Sequence, residues 1–183
     1  MFLNKTMFKK WVKSAYQHNG LVVGRVYGGL VLSGANWVTW TQDGYVPNWL
    51  KAAIIRAKKD EVSQYEVSDN PYLNLPERWK EAKVPFVVTP IIYDTRWKHY
   101  RLLQCRDTGG IVPVPSGCYD IIDVRELETD GRPMGPSART DRGDVLIWKN
   151  ENAALAVCRV DVSEAGLPVL EVLAGLEYEE VPM

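Results

Sequence analysis

Apolar residues recur at helical spacing near the start of the chain. Met7, Phe8, Trp11, Val12, Ala15 and Tyr16 make one stripe, which predicts an amphipathic helix from Thr6 to His18. Lys5, Lys9 and Lys13 sit four residues apart and line an adjacent face, and Asn19-Gly20 supplies a stop. From Leu21 the pattern changes to strand. Leu21 to Tyr27 and Leu30 to Leu32 are β-favouring runs separated by Gly28-Gly29, a two-residue hairpin signal. Ser33 to Asn36 turns the chain again, and Trp37 to Thr41 forms a third strand. There Trp37, Thr39 and Thr41 share one face, with Val38 and Trp40 on the other. Pro47 opens a second helix, whose apolar stripe is Trp49, Leu50, Ala53, Ile54 and Ala57.

The remainder reads mostly as strand. Ser63 to Val67 is a short strand, and Glu77 to Lys83 is one or two helical turns. Val84 to Tyr93 is a buried strand that Pro85 and Pro90 place at an edge or a bend. His99 to Cys105, Ile111 to Val114 and Tyr119 to Val124 follow as strands. Asp130 to Gly143 is rich in turn residues and reads as an exposed loop. Asp144 to Trp148 and Ala153 to Val162 form a hairpin about the turn Lys149 to Asn152, and Pro168 to Leu173 reads as a last strand. The expected fold class is α+β. It has a mainly antiparallel β-sheet with two amphipathic helices, both in the N-terminal third, packed on one face. Residues 1–176 form a single domain, and 177–183 an acidic, frayed tail.

Charge changes this picture. The net charge of −1 hides a split: residues 1–106 carry a balance of +8 and residues 107–183 a balance of −9. Such asymmetry points either to a polyanion facing the first half or to self-association of basic and acidic halves. Head-to-tail self-association must close into a ring or continue as a filament. The basic helix faces offer Lys5, Lys9, Lys10 and Lys13, then Lys51, Arg56, Lys58 and Lys59. A second cluster is Arg96, Lys98, His99 and Arg101, with Arg106 beyond it and Trp97 and Tyr100 among them. Cations interleaved with aromatic side chains suit phosphate contact and base stacking. The bland reading is a solvated face on each helix, with the tryptophans in the core.

Candidates for catalysis are sparse. Asp94, Asp107, Asp120, Asp123 and Glu126 with His99 are the raw material of a metal-dependent hydrolase, which needs them clustered. Spacing alone does not cluster them. Ser14 and Ser116 have no base partner that spacing assigns, and His18 reads as a helix-end residue. The three cysteines, Cys105, Cys118 and Cys158, are odd in number and lack CxxC pairing, so each reads as a buried thiol. Arg142-Gly143-Asp144 reads as a turn. No cofactor, metal or membrane span is expected, and without a signal peptide the default location is cytoplasmic.

The order helix, three strands, helix, strands resembles one domain of a DNA sliding clamp at the level of topology. That resemblance implies basic helices facing a duplex and subunits joined edge to edge. The favoured expectation is a non-enzymatic binding protein whose basic N-terminal half contacts nucleic acid. A clamp-like or other self-associating accessory protein of DNA metabolism, the hydrolase, and a protein–protein adaptor using aromatic patches are the alternatives.

Overall fold

The computed structural model describes residues 2–18, 20–56, 64–67, 73–96, 98–122, 133–163 and 166–178, with the backbone alone for 53–56 and 64–67. Helix α1 spans Lys5–Gln17. It begins where Asn4 caps it, with Oδ1 accepting from the amides of Thr6 at 3.0 Å and Met7 at 3.1 Å. Two of the donors that a helix start leaves open are thereby satisfied. It ends at His18, whose Nδ1 lies 2.7 Å from the Ser14 carbonyl oxygen, so this histidine does cap the helix. Phe8 and Val12 are buried, and the four lysines are exposed.

Strands β1 (Val22–Val26), β2 (Gly29–Ser33) and β3 (Trp37–Gln42) make the antiparallel meander. The first turn falls on Tyr27-Gly28, one residue ahead of the Gly28-Gly29 signal. Both residues take positive φ, 50° and 69°, as the favoured two-residue hairpin turn requires. The alternation along β3 is as its sequence indicates. Trp37 joins the cluster containing Phe8, whereas Trp40 joins a second cluster with Leu75 and Ala82. The sheet is therefore covered on both faces. Helix α2 (Asn48–Arg56) packs beside α1, with the Phe8 and Trp49 ring centroids 6.1 Å apart and Leu50 buried. The remaining stripe, Ala53, Ile54 and Ala57, lies outside the described side chains. Strand β4 (Gln64–Val67) pairs in parallel with β1. Helix α3 (Leu75–Glu81) is capped by Asn74 and lies on the opposite face, against the Trp40 cluster.

Strands β5 (Val84–Asp94), β6 (His99–Cys105) and β7 (Ile111–Pro115) are followed by a single-turn helix, α4 (Ser116–Tyr119). Then come β8 (Met134–Ala138), β9 (Val145–Lys149), β10 (Ala153–Cys158) and helix α5 (Leu167–Ala174). The strand order is β4-β1-β2-β3-β10-β9-β8-β5-β6-β7, antiparallel except at β4. β5 is the bend that its prolines suggest. Val84 and Pro85 pair with β8, the rest pairs with β6, and the register slips between Val88 and Ile92. Alternate residues of β10, β9, β5, β6 and β7, among them Leu155, Trp148, Phe86, Leu103 and Val112, enter one buried cluster. The Val160 amide donates to the Pro113 carbonyl at 3.0 Å. This half of the sheet thus curls until β7 meets the chain leaving β10.

Three readings are corrected. The expected strand at Tyr119 to Val124 is instead α4 and a turn, with a single bridge from Ile122 to Leu3; 123 and 124 lie outside the described residues. The expected loop Asp130 to Gly143 contains β8, and Gly143 is buried with φ 59°. A Cβ there would come within 2.9 Å of Val112 and 3.0 Å of the Phe86 ring, so the Arg142-Gly143-Asp144 turn is a packing element. The expected last strand is α5, so helices are not confined to the N-terminal third. Among the described residues, no helix is long and apolar enough to cross a membrane.

The sheet order interleaves the two halves of the sequence. β1 to β3 of the basic half border β10, β9 and β8 of the acidic half, which border β5 and β6 of the basic half again. Arg139 and Glu81, 3.7 Å apart, even join the halves as an ion pair. Along the sheet, the split in sequence is not a split into two blocks.

Candidate nucleic-acid interface

Four lysines, Lys5, Lys9, Lys10 and Lys13, crowd the exposed side of α1. Phe8 sits edge-on to Trp37 and Trp49, at 5.7 and 6.1 Å, and this contact fixes which side of the helix faces in. Lys5, Lys9, Lys10 and Lys13 are consequently turned to solvent. Lys9 Nζ lies 5.6 Å over the Trp49 ring, an attraction that steadies the side chain without neutralising it. No carboxylate occurs in residues 1–42, and among the described residues none of the four lysines makes an ion pair. Lys5 stands in the first helical turn, where positive charge opposes the helix dipole. These lysines therefore do little for the helix itself.

Lys51 is exposed on α2. The side chain of Arg56, and Lys58 and Lys59 altogether, lie outside the described structure. The second cluster sits at the β5–β6 hairpin tip. Thr95 closes that turn through its backbone amide, which donates to the Lys98 carbonyl at 2.9 Å. Arg96, Lys98 and His99 are exposed there, and Trp97 is outside the described residues. His99 Nδ1 lies 2.6 Å from Asp94 Oδ1, a contact between two exposed side chains. Arg101 is engaged differently. Its guanidinium lies 5.3 Å over the Tyr119 ring and donates to the Thr89 carbonyl at 3.4 Å.

Helix α4 joins the two basic regions. Ser116 Oγ donates to the His99 carbonyl at 3.1 Å, and Gly117 lies against the Trp11 indole of α1. The lysine stripe and the hairpin tip nevertheless sit on opposite flanks of α1. Lys9 leans toward α2, whereas Trp11, a sixth of a turn from Phe8 on the other side, leans toward α4. They are two surfaces with a helix between them.

The six described tryptophans pack against the core clusters. Trp37, Trp40 and Trp148 are buried, and Trp11, Trp49 and Trp79 are half-buried against the two clusters. The acidic candidates separate as well. Asp94 reaches His99, but Asp107 lies beyond the other end of β6, roughly 20 Å away at the ordinary rise of a strand. Asp120 is exposed behind α4, and Asp123 and Glu126 are outside the described residues. Among the described residues no three His, Cys, Asp or Glu side chains come together to hold a metal ion.

Cys105 and Cys118 are buried and Cys158 half-buried, all as free thiols. Burial pushes the Cys118 thiol far up, with Cys158 and Asp120 adding to the effect. Burial also raises Cys158, against a lowering pull from Arg78. Neither environment favours the thiolate that thiol chemistry needs. No family model, curated protein or solved structure matches this chain.

Proposed function

We propose that this chain is a non-enzymatic binding protein that contacts the phosphate backbone of nucleic acid through the exposed lysine face of α1. The observation that carries the reading is a row of four exposed lysines, without an ion pair among the described residues, in a stretch of 42 residues that has no carboxylate. Each lysine that neutralises a phosphate releases counterions, so affinity comes from this surface and falls with salt. Because the described tryptophans pack inward, the reading is one of backbone contact with little sequence preference. Lys51, exposed on the neighbouring α2 toward which Lys9 leans, would extend this face for a longer ligand, and the hairpin-tip residues Arg96, Lys98 and His99 form a separate basic surface.

The test is binding of labelled single- and double-stranded DNA and RNA by fluorescence anisotropy across a salt series. Four duplex phosphate contacts give a log–log slope of about −3 to −4. Absence of binding at the lowest salt overturns the reading.

A further inference from the structure

Helix α5 carries an apolar side that nothing described covers. Val169 and Val172 follow at i and i+3 and are 43% and 71% exposed, and Leu176, two residues past the end of the helix, is 51% exposed. Leu170 on the other side is buried, and Glu171 is the one charge between Leu167 and Gly175. A helix apolar on both sides belongs between two packed surfaces, and here the protein supplies one, β7. At the end of α5, Leu176 also lines a cleft of about 470 Å³ together with Val87, Gln104, Arg106, Glu177 and Tyr178. Gln104 Nε2 donates to the Leu176 carbonyl at 2.6 Å and the Gly109 carbonyl at 3.2 Å, which pins this chain segment to β6. The Tyr178 hydroxyl is buried and has no hydrogen-bond partner among the described residues. The apolar stripe thus runs into a notch with a polar atom left to satisfy.

The surrounding charge selects the occupant. Among the described residues, α5 and the segment just after it carry two exposed carboxylates, Glu171 and Glu177, and no Lys or Arg, and the one cation in the cleft lining, Arg106, is already engaged. A second copy stacked α5 on α5 would bring Glu171 and Glu177 against their like, and an anionic membrane meets the same repulsion. A helix with its own apolar stripe and a basic rim satisfies both the stripe and the charge. We propose that α5 is the docking face for a basic amphipathic helix of a partner protein, whose side chains anchor along Val169, Val172 and Leu176 and in the cleft beside Tyr178. With only two helical turns on offer, the contact belongs to the small, transient class.

The experiment uses the full chain and two labelled helical peptides that share a leucine face, one rimmed with lysine and one with glutamate. The lysine peptide binds, the glutamate peptide does not, and Val172→Ser with Leu176→Ser weakens the lysine peptide about tenfold. The melting temperature of that variant and its affinity for labelled DNA stay unchanged. Three results overturn the proposal. One is equal binding of both peptides, and another is a serine variant that binds as well as the parent. The third is a parent chain that sediments as a dimer which the serine variant disperses, since that outcome assigns the face to a second copy.

Discussion

Helices α1 and α5 solve the same packing problem with opposite surfaces. α1 has a sharp division, with Phe8 edge-on to Trp37 and Trp49, Val12 buried on the same side, and four lysines among the exposed residues. α5 has no such division, being apolar inside and out, with acidic residues around it. The inner face of α1 is thus committed to stability and its outer face is free for a charged ligand. In α5 the outer face adds nothing to stability in isolation and gains its value only when covered. The teaching is that a helix's function is written on the side the fold does not use.

The largest effect separates the two inner and outer faces directly. Phe8 is fully buried and touches two indole rings, so Phe8→Ala leaves a cavity beneath α1 and costs about 3–5 kcal/mol. Val172→Ser on the exposed side of α5 changes stability by less than about 0.5 kcal/mol. Urea unfolding of both variants is the check. A costly Val172→Ser would mean that the outer face of α5 is already packed, and the contrast would fail.

Next in size is the charge on α1. Lys9→Glu with Lys13→Glu should reduce DNA affinity by about two decades at moderate salt and lower the salt slope by about 2, with the far-UV spectrum unchanged. The same pair should leave binding of the lysine-rimmed peptide to α5 unaltered. Loss of both activities together would merge the two surfaces into one site.

Alkaline pH tests the support behind α1. Gly117 and Cys118 of α4 lie under Trp11 and in the core, and burial raises the Cys118 thiol above its ordinary value of 9.0. The unfolded chain therefore loses this proton first, and the folded state binds more protons above pH 9. Stability fully present below that pH declines as pH rises, by at most about 1.4 kcal/mol per unit. Unfolding midpoints of the parent and Cys118→Ala between pH 8 and 10 should converge from their difference at neutral pH. Parallel curves would show that Cys118 ionises equally in both states.

Much of this arrangement was legible in the sequence where the signal was local. The stripe of α1, the two faces of β3, the β9–β10 hairpin and the boundaries of β6 all follow from periodicity and turn residues. In that hairpin Asn150 Oδ1 accepts from Asn152 and Ala153, so the turn residue itself closes it. What failed was non-local. β8 lies in a segment of Gly135 and Pro136 that composition marks as a loop, and it is held as a strand by β9 and β5. α5 reads equally as strand because Pro168 to Leu173 is a short apolar run without a polar face. Its usable signals were three: Gly166 before it, Pro168 in the first turn and Gly175 after it. The pairing of β10 with β3, which interleaves the charge halves, has no local trace at all. For the site, Lys5, Lys9 and Lys13 were readable as a row from four-residue spacing, and Lys10 stands beside them. The packing of the described tryptophans against the core and the meeting of Asp94 with His99 required the fold.

The smallest expected effect discriminates most finely between a lysine kept for the helix and one kept for a ligand. Lys5 is the first residue of α1, directly after the Asn4 cap, and no acidic residue occupies that turn. Replacing it by glutamate puts negative charge beside the open amides and should stabilise the protein by about 0.3–1 kcal/mol at low salt. The Asn4 cap remains and the apolar stripe is untouched, so nothing offsets the gain. The same substitution should weaken DNA binding by removing one phosphate contact and adding repulsion. Thermal melting and anisotropy on the one variant thus move in opposite directions. A variant that is more stable and binds DNA equally well would take Lys5 off the interface and confine it to Lys9, Lys10 and Lys13. A variant that is less stable would mean that Lys5 already has a carboxylate partner in solution, and the lysine row would no longer be the unpaired surface on which the comparison with α5 rests.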